Sequence, residues 1–472
     1  MIGDEVMSAA ADGAVDLFPR VRTGNPQADG LLCGGFPSNS INIVMGQPGT
    51  GKTIFAEQLL FANARNDRPS LFVTTLSEPL AKALSYVQRF NFFDEEKLGA
   101  AIQYHDVGAV LAADGPDAFV PWLTEMIKTS RPHLLVIDSF RAIHDLAASA
   151  QQMRRIVSSL AGLLSAYDVT TFLLGEYTGD DIQRFPEFAV GDGIIELARH
   201  PLSSRDERFF RVLKLRGSGY REGQHAFRIT ENGIKLYPRL VSPDVPANYE
   251  PRLDRVSTGV EGLDAMLGGG LWCGSTTLVV GPTGAGKTTL GLQFALDGVR
   301  RGEPTLYVHF QENPAQLRRA IDALGLSAHD AIARGLRLRY ESPVELQIDS
   351  IIVDIFEQIR GGQVQRVVVD AIGDLVTAAS DPQRLHDYLY ALVQHFTVHH
   401  VTSMLMFESA SVPLAASEFG HRFSYISDNV LQLGLQGDQR TRRTLRVVKT
   451  RNSDHDPDVR ELAVRAGGAR IV

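Results

Sequence analysis

The residues best suited to chemistry lie in two short runs, GQPGTGKT at residues 46–53 and GPTGAGKT at residues 281–288. Each has the spacing GxxxxGK[ST], follows a run of apolar, β-branched residues and opens a helical pattern, so each reads as a strand–loop–helix cradle for a polyphosphate. Glycines allow the loop to turn its N–H groups inward, and the N-terminus of the following helix adds positive potential. On this reading Gly46, Gly49, Thr50, Gly51 and Lys52 hold phosphate in one cradle. Gly281, Gly284, Ala285, Gly286 and Lys287 do so in the other. The two lysines reach the β and γ phosphates of ATP and serve catalysis, while Thr53 and Thr288 each offer a hydroxyl to Mg²⁺.

Such a metal position calls for a carboxylate at the end of a buried strand. Asp138 closes HLLVID and Asp370 closes RVVVD, which makes them the expected partners of Thr53 and Thr288. Activating water calls for another carboxylate, best placed where the strand after the loop helix ends. LFVTTLSEP offers Ser77 and Glu78 there, and TLYVHFQEN offers Gln311 and Glu312; the two glutamates are the candidates. Lys214 and Arg216 in RVLKLRGSGY, and Lys449 and Arg451 in RVVKTRNSD, stand two residues apart, which puts both cations on one face of a strand. There they can stabilise charge on a γ-phosphate, from within the chain or from a neighbouring subunit, or simply guard an edge strand.

These residues belong to an internal repeat. RVRTGNPQADGLLCGGFPSNSINIVMGQPGTGKT is answered by RVSTGVEGLDAMLGGGLWCGSTTLVVGPTGAGKT, with Lys287 lying 235 residues after Lys52 and Asp370 lying 232 after Asp138. Pro238, Pro243, Pro246 and Pro251 interrupt regular structure between the copies. The expected organisation is a domain over 1–240, a Pro-rich linker over 241–253 and a second domain over 254–472. INIVM, SLFVTTL, HLLVID and TTFLLG in one copy, and TTLVV, TLYVHF, RVVVD and SMLMF in the other, are continuously apolar. That pattern belongs to strands buried on both faces, so each copy is expected to be an α/β fold with a mainly parallel sheet flanked by helices.

Composition narrows the partners. Hydrophobic residues make up 44% and charged residues 22%, enough for a real core in each half, and the net charge of −8 offers no field to hold a polyanion. With two tryptophans and no basic aromatic loop, nucleic acid is not an expected partner. No basic and apolar leader or run of about 18 apolar residues is present, so a cytoplasmic protein without membrane contact is expected. Cys33 and Cys273 show neither disulfide nor metal spacing and read as small buried hydrophobes.

The two loops, the RxxTG…D…GG lead-ins and FRVLKLRGSGYREGQHAFRITENGIKLYP together resemble the KaiC family, two-domain ATPases of the RecA-like P-loop NTPase fold. The resemblance spans nearly the whole chain. It implies a homo-hexamer of two stacked rings with ATP between subunits, so that Lys214, Arg216, Lys449 and Arg451 act on a neighbour's nucleotide. It implies a role in signalling or circadian-type timing, with a protein partner. The family's paired glutamates after the second strand are met here by Ser77-Glu78 and Gln311-Glu312, and its phosphorylated Ser-Thr pair by Ser424-Tyr425. Autokinase and autophosphatase activity at Ser424 is therefore a further expectation. A nucleotide-gated scaffold with little turnover is the alternative, and a DNA-dependent recombinase or helicase relative is a more distant one.

Overall fold

A computed structural model describes residues 19–75, 80–202, 205–343, 346–361, 364–379, 381–409, 424–437, 441–465 and 467–472. Contacts divide the chain into two units, Met1–Arg239 and Leu240–Val472. In the first, the labelled strands are β1 (Ile41–Met45), β2 (Ser70–Thr74), β3 (Ile102–Asp106), β4 (Leu134–Asp138), β5 (Thr170–Gly175), β6 (Gly193–Leu202), β7 (Arg205–Leu215), β8 (His225–Thr230) and β9 (Gly233–Tyr237). In the second they are β10 (Thr276–Gly281), β11 (Thr305–His309), β12 (Leu336–Tyr340), β13 (Arg366–Asp370), β14 (Thr402–Glu408), β15 (Asn429–Gln436), β16 (Arg442–Lys449), β17 (Arg460–Arg465) and β18 (Gly468–Ile471).

Among the described residues the sheets have the same order, β3-β2-β4-β5-β1-β6-β7-β8-β9 and β12-β11-β13-β14-β10-β15-β16-β17-β18. The first six strands of each order run parallel and the remaining pairings are antiparallel, so each unit is the mainly parallel α/β domain that its apolar runs predict. Every residue of β1, β2, β5, β10 and β11 is buried, because helices cover both faces of the sheet. Along β1, Ile43 joins a core with Leu135 and Leu173 on one face, while Val44 joins Phe72 and Phe172 on the other.

The stretch 241–253 has neither helix nor strand, yet it is fastened to the second unit. Leu240 enters that unit's core, His395 Nε2 donates to Val241 O at 2.9 Å, and Tyr249 Oη donates to Thr397 O at 3.1 Å. The cysteines depart from expectation: Cys33 is exposed, and Cys273 is half-buried with its thiol 3.5 Å from His400 O. Cys33 occupies a turn at φ 53°, a conformation uncommon for a residue other than glycine.

Candidate functional site

Each predicted loop leaves the end of the central strand and opens the helix expected of it: α1 (Lys52–Ala62) after β1, and α2 (Lys287–Arg300) after β10. Gly51 and Gly286 sit at the helix N-caps with φ of 100° and 105°, a left-handed conformation that glycine takes without penalty. Gly46 is required for a second reason, since a Cβ there would lie 2.1 Å from Leu197 O on the adjoining strand. Gly49 and Gly284 also have positive φ, and Thr50 and Ala285 are fully buried beneath the loops.

The lysines fold back across their loops. Lys52 Nζ donates to Gly46 O at 2.9 Å and Gln47 O at 3.0 Å, and Lys287 Nζ to Gly281 O at 2.8 Å and Pro282 O at 3.0 Å. Burial lowers both pKa values, against the pull of Glu176 and Asp138 on Lys52 and of Glu408 and Asp370 on Lys287. Each lysine is thus held in the middle of a mixed-charge site, where a phosphate would replace the loop carbonyls as its partner.

Asp138 and Asp370 stand at equivalent strand ends, in register with Thr74 and His309. In the first unit Thr53 Oγ1 donates to Asp138 Oδ2 at 2.6 Å, bringing together the hydroxyl and carboxylate expected at the metal position. In the second unit Asp370 Oδ2 accepts the Tyr307 hydroxyl at 2.8 Å. The equivalent of Tyr307 is Phe72, which has no hydroxyl to give. Hydroxyl and carboxylate oxygens are hard donors of the kind Mg²⁺ accepts, so both sets fit that ion chemically.

Glu312 follows β11 half-buried; its own carbonyl accepts from His309 Nδ1 at 2.8 Å, and burial followed by the Asp370 charge raises its pKa. Glu78 and its neighbour Ser77 lie outside the described residues. A cavity of about 590 Å³ opens over the first loop, lined among others by Lys52, Thr53, Asp138, Tyr86, Phe90 and Ile229. Its size and its mixed polar and aromatic lining suit a nucleotide.

The family model for the KaiC ATPase matches residues 21–241 and again 256–472. The chain belongs to the KaiC ATPase family. It is 28% identical to the circadian clock oscillator protein KaiC of Picosynechococcus, over 98% of this chain and 92% of the relative. It is 29% identical to the circadian clock oscillator protein KaiC of Thermosynechococcus vestitus, over 94% and 87%, and 25% identical to the circadian clock protein KaiC3 of Synechocystis, over 98% and 93%.

The Lys-x-Arg pairs of this KaiC-family chain do not meet the loops of their own units. Lys214 Nζ donates to Gly191 O at 2.6 Å, and Arg216 lies 3.6 Å from Asp192, whose side chain accepts the N–H of Ile41 at the start of β1. The phosphate loop is at the other end of that five-residue strand, about 15 Å away. In the second unit Lys449 Nζ donates to Ser424 O and Ser427 O, both at 2.8 Å, and Arg451 pairs with Asp428 at 3.5 Å and donates to Tyr425 O at 2.8 Å. Ser424, half-buried in a helical turn, therefore shares an edge with Lys449 and Arg451.

Three functional features escaped the sequence reading. Glu176 and Glu408 follow β5 and close β14, next to the loop lysines, and Glu408 accepts the Thr283 hydroxyl. Their matching places after TTFLLG and SMLMF were a usable signal. Glu57, one turn beyond Thr53, is buried beside the cavity and accepts the Tyr104 hydroxyl at 2.6 Å; nothing in the spacing announces it, because Leu292 holds the equivalent place in the repeat. Asp374 meets Gln311 across two elements that are remote in sequence.

Proposed function

We propose that this KaiC-family chain binds ATP with Mg²⁺ in both units and hydrolyses it within a cytoplasmic two-tiered homo-hexamer, in signalling or circadian-type timing through a protein partner. The observation that carries the reading is the split of each site between the two ends of the central strand. Loop, lysine and aspartate lie at one end, while the Lys-x-Arg cations lie at the other, so a second copy must bring cations to each phosphate. Lys52 and Lys287 hold the β and γ phosphates. Thr53 with Asp138, and Thr288 with Asp370, would hold Mg²⁺, which would supply positive charge against the phosphates. Lys214, Arg216, Lys449 and Arg451 stabilise the transferring phosphoryl group of a neighbour, and Glu312 and Glu78 are the candidate carboxylates for the water.

Two full-length variants test the split. Lys52→Ala/Lys287→Ala removes phosphate contacts, and Arg216→Ala/Arg451→Ala removes the donated cations; each is expected to release phosphate at least a hundredfold more slowly than the wild type. Mixing the two and allowing subunit exchange restores turnover if the cations act on a neighbour. A mixture as inactive as its parts sinks the cross-subunit arrangement.

Ser424 beside Lys449 and Arg451 supports the autokinase reading, because a neighbour's γ-phosphate that reaches those cations also approaches this hydroxyl. Label from γ-phosphate should enter the wild-type protein and be absent from Ser424→Ala; equal labelling of both would exclude the site. Gln311, where the KaiC family usually has a glutamate, favours a second reading, a nucleotide-gated scaffold with slow turnover. Ring assembly on ATP binding without phosphate release would select it.

A further inference from the structure

Gln311 closes the segment after β11 and has no charge to offer a water. Its amide is nonetheless fixed: Nε2 donates to both oxygens of Asp374, each at 3.2 Å. Asp374 comes from the helix Ile372–Ala378, one turn past Asp370 at the end of β13, so the pair joins two strand ends that flank the metal position. Burial, opposed by the hydrogen bonds from Gln311 and the Ala371 backbone and reinforced by the charges of Asp370 and Glu408, raises the Asp374 pKa, which ties its carboxyl to the same field as the loop lysine's partners. In the first unit the equivalent of Asp374 is Ala142, so the carboxylate is confined to the copy that carries the glutamine.

We propose that the Gln311–Asp374 pair does in the second unit the work of a strand-end glutamate. Asp374 is a positioning residue: by taking the amide hydrogens it turns the Gln311 carbonyl oxygen outward as an acceptor. Gln311 then orients the water whose oxygen bonds to the γ-phosphorus as the bond to the β-phosphate oxygen breaks. ADP leaves, and the proton of the water passes to the released phosphate. This inference rests on the proposed ATP hydrolysis and names how one unit achieves it.

The full chain provides the test. Phosphate release due to the second unit is the difference between the wild type and Lys287→Ala. Asp374→Ala is expected to cut that share by about tenfold to a hundredfold, the scale of a lost positioned group, with the wild-type number of fluorescent ATP analogues still bound per chain. Adding Gln311→Glu to Asp374→Ala should restore the share, because a carboxylate at 311 is an acceptor in any rotation; a purely structural Asp374 would gain nothing from that change. An undiminished share in Asp374→Ala overturns the proposal. So does a double variant left at the Asp374→Ala level, or a wild type that binds two analogues yet releases no more phosphate than Lys287→Ala. A wild type that binds no analogue overturns the nucleotide sites themselves, and the pair with them.

Discussion

Arg366→Leu is expected to destabilise the second unit by about 3–5 kcal/mol, the usual cost of removing one partner from a buried ion pair. Arg366 opens β13 and is 1% exposed. Its Nε donates to Glu303 at 2.5 Å, its Nη2 lies 3.2 Å from Asp297, and its Nη1 donates to Ser257 O at 3.0 Å and Phe294 O at 2.8 Å. The guanidinium also lies over the Phe294 ring, 4.7 Å from the centroid. It thereby binds the C-terminal half of α2 to the strand that ends in Asp370. Leucine would refill the space, as Leu134 does at the equivalent place in the first unit, but it would take a donor from Glu303, Ser257 O and Phe294 O and leave Asp297 with Arg301 alone, at 2.8 Å. At about 2–4 °C per kcal/mol for a unit of this size, the thermal transition should fall by roughly 6–20 °C. A fall equivalent to less than about 1 kcal/mol would show that the network contributes no net stability. Gly298→Ala should act through the same contact, since its Cβ would lie 2.6 Å from Arg366 Cδ.

Glu57→Gln is expected to flatten the decline in first-unit stability between pH 5 and pH 8.5. Burial, offset by the Tyr104 hydrogen bond and reinforced by Asp138, pushes Glu57 from 4.5 up to about 8. Because the folded pKa is raised, the folded state binds more protons between those values than the unfolded chain does. The stability contributed by the neutral acid is thus complete below about pH 4.5 and is lost as pH rises through about 8, at about 1.4 kcal/mol per pH unit. Glutamine keeps the shape, accepts the Tyr104 hydroxyl in place of Oε2 and does not titrate. Denaturant unfolding of both proteins at pH 5 and pH 8.5 should show a gap that widens by a few kcal/mol in favour of Glu57→Gln at the higher pH. Parallel pH profiles would mean that Glu57 is already ionised in the folded protein. The group matters for function because it borders the phosphate cavity one turn from Thr53.

Much of the fold and the core of each site is legible along the chain. INIVM, LLVID, TTLVV and RVVVD become central strands because unbroken apolar β-branched runs satisfy a two-sided sheet. Lys52, Thr53, Lys287 and Thr288 are found by spacing because a phosphate loop is a local backbone shape, written in glycines a few residues apart. Asp138 and Asp370 follow from ending such strands. The repeat pairs nearly every feature of one unit with one in the other.

Partnerships were decided only by the tertiary structure. No local pattern tells that Asp138 takes the Thr53 hydroxyl while Asp370 takes that of Tyr307, or that Arg366, charged and at a strand entrance, is buried where its counterpart is leucine. Glu57 reads as an ordinary polar helix residue until Tyr104 is seen 47 positions away. The Lys-x-Arg period was visible, but its distance from its own loop required the sheet. By itself the sequence determined two phosphate-binding α/β units and their central residues, since strand burial and loop geometry are governed by neighbours along the chain. Which side chains are neutralised, which carboxylate stands behind Gln311, and which cations lie far from their own loop depend on contacts between distant segments, where burial and charge act through space.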